Sequence, residues 1–361
     1  MDPKKKAITA AVVGTALGVG GLVVVAMPAS AGDAPKLPQV SAEDLVQSVM
    51  TAKPGPFDGT VTVSNDLGLP NVGGAIPGAG ALNVDSAHVF TDGNGKAKVS
   101  LTKGATQETI IHDGATVWNY NSKNNTATKT TIPAGVATGR PEADKTADPA
   151  TAAKQLLAKV RESSNVKVDG TATVADRPAY ELVLTPKPSE RTLLREIRVA
   201  VDSQTRLPLR LSVLSNGTTA PALQLSFSKI EFTPQPADLF TFTPPKGAKV
   251  TEKQAKVDDK AKATAEQAKQ DTKLVGDGWD TVITGKVPAD ALQPKQAQSG
   301  EKKQNADPQQ LLSRFAKRVN GAWGSGYLVT TKVGGAVLTD DGRFAIGAVP
   351  EQVLYEALGA K

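Results

Sequence analysis

Between residues 59 and 232 the chain keeps returning to one pattern: short β-branched runs with an apolar residue at every second position, parted by turn residues. Period two sends alternate side chains to opposite faces, so each run has an apolar side and a polar side. Residues 59–64 (GTVTVS) begin the series, and Ala97, Val99 and Leu101 then alternate with Lys98, Ser100 and Thr102. The run 107–112 ends at Asp113-Gly114, a turn dipeptide, and 116–120 follows, which reads as a hairpin. Residues 126–132 are Thr-rich and edge-like. Further on come 179–185, 193–201, 207–214 and 222–232, with Ile197, Val199 and Val201 on one face and Leu207, Leu209, Leu211 and Val213 on another. The pattern predicts about eleven strands in an antiparallel sheet with one wet side. Two helices interrupt it. Ser41 with Asp44 makes a capping box ahead of Leu45, Val46, Val49 and Met50, and Asp148-Pro149 opens a run bearing Ala153, Leu156, Leu157 and Val160. A long meander with so few helices must bury its apolar side by curling around them.

Composition narrows the chemistry. The 361 residues include no Cys and two His, which excludes disulfides, thiolate metal sites and Cys nucleophiles and argues against a multi-His metal centre. Gly (33) and Pro (24) are plentiful while Trp, Tyr and Phe number 3, 4 and 8, as suits strands and turns over a helical bundle. Lys4, Lys5, Lys6 and Asp2 account for +2 of the formal net charge of +6, and the remaining +4 is too mild to argue for nucleic acid.

The first residues read as an export signal. A basic start is followed by an uncharged stretch, 7–27, and then by Pro28-Ala29-Ser30-Ala31 with Gly32 next. Ala29, Ala31 and Gly32 form a cleavage site, and cleavage is expected after Ala31. The competing reading is an uncleaved anchor, since a helix of that length spans roughly 31 Å, enough to cross a bilayer. Either way the remainder is expected to be extracytoplasmic, and possession of no lipobox Cys means that the protein is not itself a lipoprotein.

The rest of the chain divides by composition. Residues 32–40 read as a flexible lead-in to a first domain, 32–250. Residues 251–273 are rich in Lys and acids with Val257 as their large apolar residue, a solvated helix or linker. A small C-terminal α+β domain, 274–361, is expected to hold a strand at 279–283, a disordered stretch at 294–306 and a helix from Asp307-Pro308 bearing Leu311, Leu312, Phe315 and Val319. Strands at 326–331 and 343–348 around a Thr339–Gly342 turn follow, and Pro350 opens a last helix with Val353, Leu354 and Leu358.

Several segments resemble a known family. The stretch 88–92 (HVFTD), the hairpin 108–120, the segment 174–186 (VADRPAYELVLTP), the run 198–209 (RVAVDSQTRLPL) and 238–247 (DLFTFTPPKG) fall in the order seen in LolA-like and RseB-like envelope proteins. The chain is most similar to the export-signal-bearing, outer-membrane lipoprotein carrier LolA-like proteins of high-GC Gram-positive type. The resemblance implies an α+β fold: a half-open antiparallel β-barrel covered by helices, with the small C-terminal domain added. It also implies a non-enzymatic carrier or binding protein for an acyl chain of a lipid or lipoprotein, with no cofactor. A sixteen-carbon chain left in water costs on the order of 12 kcal/mol, so such a carrier needs an apolar cavity and no reactive group. The alternative that the resemblance implies is an RseB-like regulator, which binds an anti-sigma factor and senses envelope stress. A membrane-anchored acceptor is the corresponding partner for a carrier.

Under that resemblance, Val61, Val63, Phe90, Trp118, Tyr120, Leu182, Leu184, Val199, Leu209, Leu211 and Phe227 are the candidates to line the cavity. Ordinary core packing is the competing reading for each. The apolar, Gly- and Pro-punctuated insert 66–82 offers Leu67, Leu69, Val72 and Ile76 as a lid, or else a hairpin connection that packs on its own sheet. His88 and His112 lie in predicted strands with no nucleophile-elbow sequence nearby, so they read as structural or exposed rather than as triad members. Asp340-Asp341 before Gly342 reads as a turn before it reads as a calcium site. No metal is expected.

Overall fold

The structure, a computed structural model, describes residues 34–68, 84–132, 149–254, 272–287 and 316–359. The export signal with Ala29, Ala31 and Gly32, the lid candidates Leu69, Val72 and Ile76, Asp148 and residues 311–315 lie outside the described residues. Among the described residues, no helix is long and apolar enough to cross a membrane.

The first sheet has twelve strands. Helix α1 (Ala42–Thr51) precedes β1 (Phe57–Asn65), β2 (Ser86–Thr91), β3 (Ala97–Lys103), β4 (Thr106–His112), β5 (Thr116–Asn121) and β6 (Thr126–Thr131). Helix α2 (Pro149–Ser163) then leads into β7 (Ser164–Val174), β8 (Arg177–Pro186), β9 (Leu194–Asp202), β10 (Pro208–Ser215) and β11 (Leu223–Glu231), and β12 (Lys249–Gln254) closes the series. The order across the sheet is β12-β6-β5-β4-β3-β2-β1-β11-β10-β9-β8-β7. Every pairing is antiparallel except β12 with β6. This is the open, mostly antiparallel sheet with few helices that the alternating runs predict.

Local chemistry explains the elements. Ser41 Oγ accepts the Asp44 N–H at 3.0 Å and donates to Asp44 Oδ2 at 2.7 Å, so α1 starts where the capping box places it. Asp113 accepts the N–H groups of Ala115 and Thr116 at 2.9 and 2.7 Å, which fixes the β4–β5 turn. Ala175 and Asp176 take φ of 50° and 59° in the β7–β8 turn. Asp202 has its carboxylate on the N–H groups of Gln204 and Thr205, shaping the β9–β10 turn.

Two expectations for this part need correction. Residues 34–40 are not a loose lead-in: Leu37 and Val40 pack beside Leu45, and the Pro35 carbonyl accepts Thr171 Oγ1 at 2.7 Å. Residues 251–254 are not linker; as the end of Lys249–Gln254 they pair in parallel with the strand Thr126–Thr131. The backbone of that Thr-rich edge supplies the partner that their own sequence does not announce.

The second sheet has six strands, in the order β13-β14-β18-β17-β16-β15. They are β13 (Lys273–Val275), β14 (Val282–Lys286), β15 (Lys317–Gly321), β16 (Gly324–Thr330), β17 (Gly335–Thr339) and β18 (Arg343–Gly347), and helix α3 (Glu351–Gly359) follows. Val353, Leu354, Ala357 and Leu358 of α3 close a core with Val282, Leu328, Val337 and Ala345. Here the expected helix does not reach Val319, which belongs to β15 and pairs with Gly326. The strand wins because Val319, alone among Lys317, Val319 and Gly321, is buried in that core while its neighbours face solvent. The sequence reading also omitted β17, whose Val337 is fully buried. The expected strand at 279–283 is shifted onward, to β14.

Candidate functional site

In an antiparallel register, residues directly opposite one another share a face. Chaining the registers gives one aliphatic row across five neighbouring strands: Leu182 of β8, Val199 of β9, Leu211 of β10, Leu225 of β11 and Val63 of β1. A second row beside it runs Leu184, Ile197, Val213, Leu223. Tyr180 and Val201 pair on the same face, and there α1 lands: Leu45 is fully buried against them, with Val168, Leu182 and Val199 partly buried at the margin. The helix therefore covers the β7–β9 end of the apolar wall. Toward β10 the cover thins, and Leu211 keeps 37% of its surface exposed. Leu225 and Val63 are half-buried.

The register separates the cavity candidates. Val61, Val63, Leu182, Leu184, Val199, Leu211 and Phe227 lie on the helix-covered face, Val61 opposite Phe227. Trp118 pairs with Ile111 and Tyr120 with Thr109, and Phe90 pairs with Lys98; following these rows places all three on the opposite face. There Trp118 and Tyr120 pack on Phe242, with ring centroids 5.1 and 5.6 Å away. Phe90 stacks on His88 at 4.2 Å. Leu209 sits at the Pro208/Arg210 irregularity and is buried with Phe57, Ala179, Ala200 and Ile230, where the ends of the strands converge. Leu67 is buried too, and its carbonyl accepts the Lys332 N–H at 2.9 Å, which puts it at the joint with the second sheet.

Leu223, Leu225, Ile197 and Val213 were absent from the sequence-derived set. Period two shows which residues of one strand share a face; it does not align one strand's face with the next. The register of the β9–β10–β11 hairpins supplies that alignment.

The opposite face of the same strands is ionic. Glu181 accepts from Arg210 and, at 3.3 Å, from Arg198; Glu196 accepts from Arg198 at 2.9 Å and from Arg195 at 3.1 Å. The hydrogen bond from Arg198 holds the Glu196 carboxyl below its ordinary range, although burial opposes it. A polar pocket of about 300 Å³ lies here, lined by Arg195, Arg198, Arg210, Ser212 and Gln224 among others. It is built for polar contact, and an acyl chain would gain nothing from it.

Among the described residues, neither histidine stands in a catalytic constellation. His88 Nε2 is 2.5 Å from Asp58 Oδ1, and His112 Nδ1 is 2.7 Å from the Gly95 carbonyl. Asp340 is held by Arg318, and Asp341 by Thr339 and by Arg343 at 2.8 Å, so both carboxylates serve the turn that Gly342 completes with φ 84°.

The site is an open twelve-stranded sheet with a helix laid over part of one apolar face. Residues 81–256, just under half of the chain, match the MucB/RseB N-terminal domain family. Among solved structures it is similar to a chain of the Pseudomonas aeruginosa MucA/MucB complex, at 14% identity over 88% of this chain and 96% of that one, with a TM-score of 0.41. An uncharacterized conserved protein from Thermus thermophilus matches at 13% identity over 59% of this chain and 99% of that one, TM-score 0.35. A LolA superfamily protein from Nitrosomonas europaea matches at 14% identity over 56% and 99%, TM-score 0.23. None of the curated proteins matches the sequence.

Proposed function

We propose that the protein is an extracytoplasmic binding protein that receives an acyl chain of a lipid or lipoprotein along the row Leu182, Val199, Leu211, Leu225 and Val63. One observation carries this reading: the row is aliphatic on every strand, yet α1 covers only one end of it. A half-exposed aliphatic row is stable in water only at a cost of about 25 cal/mol for each Å² left uncovered, and a hydrocarbon tail removes that cost. The ligand leaves when a competing bilayer or a membrane-anchored acceptor offers equal cover. Export by the N-terminal signal, with cleavage after Ala31 or retention as a tether, is part of the same proposal.

Displacement of a fluorescent fatty acid tests it. The wild type is expected to bind, and Leu211→Asp to bind at least about tenfold more weakly while unfolding at the same temperature, because a buried carboxylate beside the chain costs more than 1.4 kcal/mol. Equal binding by both proteins, or none by either after delipidation, would overturn the reading.

The family match favours a second reading, that of an RseB-like regulator whose partner is an anti-sigma factor. The periplasmic segment of a single-span anti-sigma factor, purified and titrated against the protein, distinguishes the two: saturable binding that is insensitive to fatty acid supports regulation without lipid cargo.

A further inference from the structure

Among the described residues, every arginine but one is paired with a carboxylate, as Arg177 is with Asp202 at 2.6 Å and Arg343 with Asp341 at 2.8 Å. The exception is Arg206. Its Nη1 is buried and has no hydrogen-bond partner. Its guanidinium lies instead on the Tyr180 ring, with Cζ 5.2 Å from the ring centroid. A buried N–H without an acceptor is unfavourable, and more so when it belongs to a charged group. Asp202, close by in the chain, is not free to help: its two oxygens already serve Arg177, Gln204 and Thr205.

The backbone holds this side chain in place. Arg206 stands in the β9–β10 turn with φ 62°, in the left-handed region that Gly or Asn occupies with less strain, so the turn by itself gives no reason for an arginine. The guanidinium reaches the helix-covered face and not the ionic one, since its ring partner Tyr180 pairs with Val201 there, beneath Leu45. Tyr180 precedes Leu182 by two residues on β8, and Val201 follows Val199 by two on β9. One two-residue step along the strands, about 7 Å, therefore separates the Tyr180–Val201 pair from the aliphatic row. The apolar wall ends on a cation that the protein leaves without a counter-charge.

We infer that Arg206 is the head-group site of this wall: its guanidinium, held on the Tyr180 ring, takes the oxyanion, carboxylate or phosphate, of an amphiphile whose hydrocarbon lies along the Leu182–Val199–Leu211 row. The inference rests on the acyl-chain reading of that row and narrows it, from any hydrocarbon tail to one with an anionic end. A guanidinium can face two oxygens with two parallel N–H donors, and the apolar surroundings of Tyr180 and Leu45 strengthen each bond. An uncharged glyceride end offers weaker acceptors and leaves the cation without its counter-charge. The polar pocket on the other face does not compete for this role, because Arg198 and Arg210 there already have Glu181 and Glu196.

Three amphiphiles with the same tail length test it: palmitate, hexadecyl phosphate and uncharged monopalmitoylglycerol, each competed below its micelle concentration against a neutral fluorescent tail probe on the delipidated full-length protein. The wild type is expected to hold at least one of the two anions about tenfold or more tighter than the glyceride, and the anion with the larger advantage identifies the head as carboxylate or phosphate. Arg206→Gln should lose that advantage while binding the glyceride within about twofold of the wild type, and Arg206→Lys, which restores the charge without the parallel donors, should recover part of it. Equal affinity of the wild type for anions and glyceride, or an advantage that Arg206→Gln keeps, would overturn the inference and leave the acyl-chain reading standing. Binding of none of the three by the wild type would overturn both. The ligand comparison on the wild type decides the matter even where a variant folds poorly.

Discussion

At the scale of residues, the segments that carry the family resemblance turn out to hold turns together. Arg177, from the 174–186 segment, donates through Nε to Asp202 Oδ2 at 2.6 Å and through Nη2 to Oδ1 at 3.1 Å, and Asp202, from the 198–209 run, is wholly buried. Burial alone would raise the Asp202 pKa, but hydrogen bonds from Arg177 and Thr205 outweigh it and hold the carboxyl below its ordinary value. Arg177→Met leaves a buried carboxylate without its cation and is expected to destabilise the protein by about 3–5 kcal/mol, measured by urea unfolding. Because the folded-state pKa is depressed, the wild type carries this stability above the unfolded value and loses it as pH falls through the folded one, so the gap between wild type and Arg177→Met should narrow below about pH 4. A gap that persists unchanged at pH 2.5 would contradict that account. Asp341 offers a second test: the Thr339 hydroxyl, assisted by Arg343, lowers its pKa to about 2 against the burial that opposes it. Carboxyl-carbon NMR should place its midpoint there, and Thr339→Val should move it toward the ordinary Asp value. These residues were legible as sequence signatures, but their role as turn-holders was not, since an ion pair between Arg177 and Asp202 depends on β8 and β9 lying side by side.

Among elements, those that carry their own local signals could be read from the chain. α1 has its capping box, β4–β5 its Asp-Gly turn, and β9 and β10 their alternation. The elements that depend on a distant partner could not. Lys249–Gln254 (KVTEKQ) lacks an apolar alternation, and its strand exists because β6 offers a free edge. Lys317–Gly321 has one apolar residue and takes its form from β16. The aliphatic row is the same case on a larger scale: each strand's alternation was visible, while the alignment of five strands was set by hairpin registers with irregularities at Thr60/Val61 and Pro208/Arg210. The position of α1 decides how much of that row stays open. Ser41→Ala removes the cap and should cost about 1 kcal/mol of stability. If α1 is the partial cover of the row, the same variant should show faster hydrogen exchange in Ala42–Thr51 and readier binding of a fatty acid; slower or unchanged exchange there would separate the cap from the cover.

For the whole molecule, the decisive feature is how the two sheets are joined. The described contacts between them include hydrogen bonds and ion pairs. The Trp279 N–H and indole Nε1 donate to Glu190 Oε2 and Ser164 Oγ, both at 2.7 Å. Leu193 N–H and Thr192 Oγ1 donate to the Ala348 carbonyl at 2.9 and 2.6 Å. Arg191 grips Glu356 through both terminal nitrogens, and Lys332 reaches Asp66 at 2.5 Å. Each sheet keeps a hydrophobic core of its own, so the joint opens without exposing either one. Opening by hinge motion is therefore far cheaper than unfolding. A tight approach lies at Gly278, where a Cβ would come within 2.2 Å of Glu190 Oε2 and 2.7 Å of Ser163 Cβ. Gly278→Ala must push the two sheets apart or displace the carboxylate that holds Trp279. Glu190→Ala removes that carboxylate outright, at about 2 kcal/mol for a charge-assisted hydrogen bond, which raises the open population by roughly thirtyfold. Both variants are expected to show faster exchange at the Trp279 indole and a larger radius of gyration by X-ray scattering, with the exchange of Val337 and Val201 in the two cores unchanged. High salt should reproduce the loosening in part in the wild type, because Arg191–Glu356 and Lys332–Asp66 are exposed pairs that salt screens. Scattering and indole exchange identical to the wild type in both variants would show that the joint does not rest on Trp279 and Glu190.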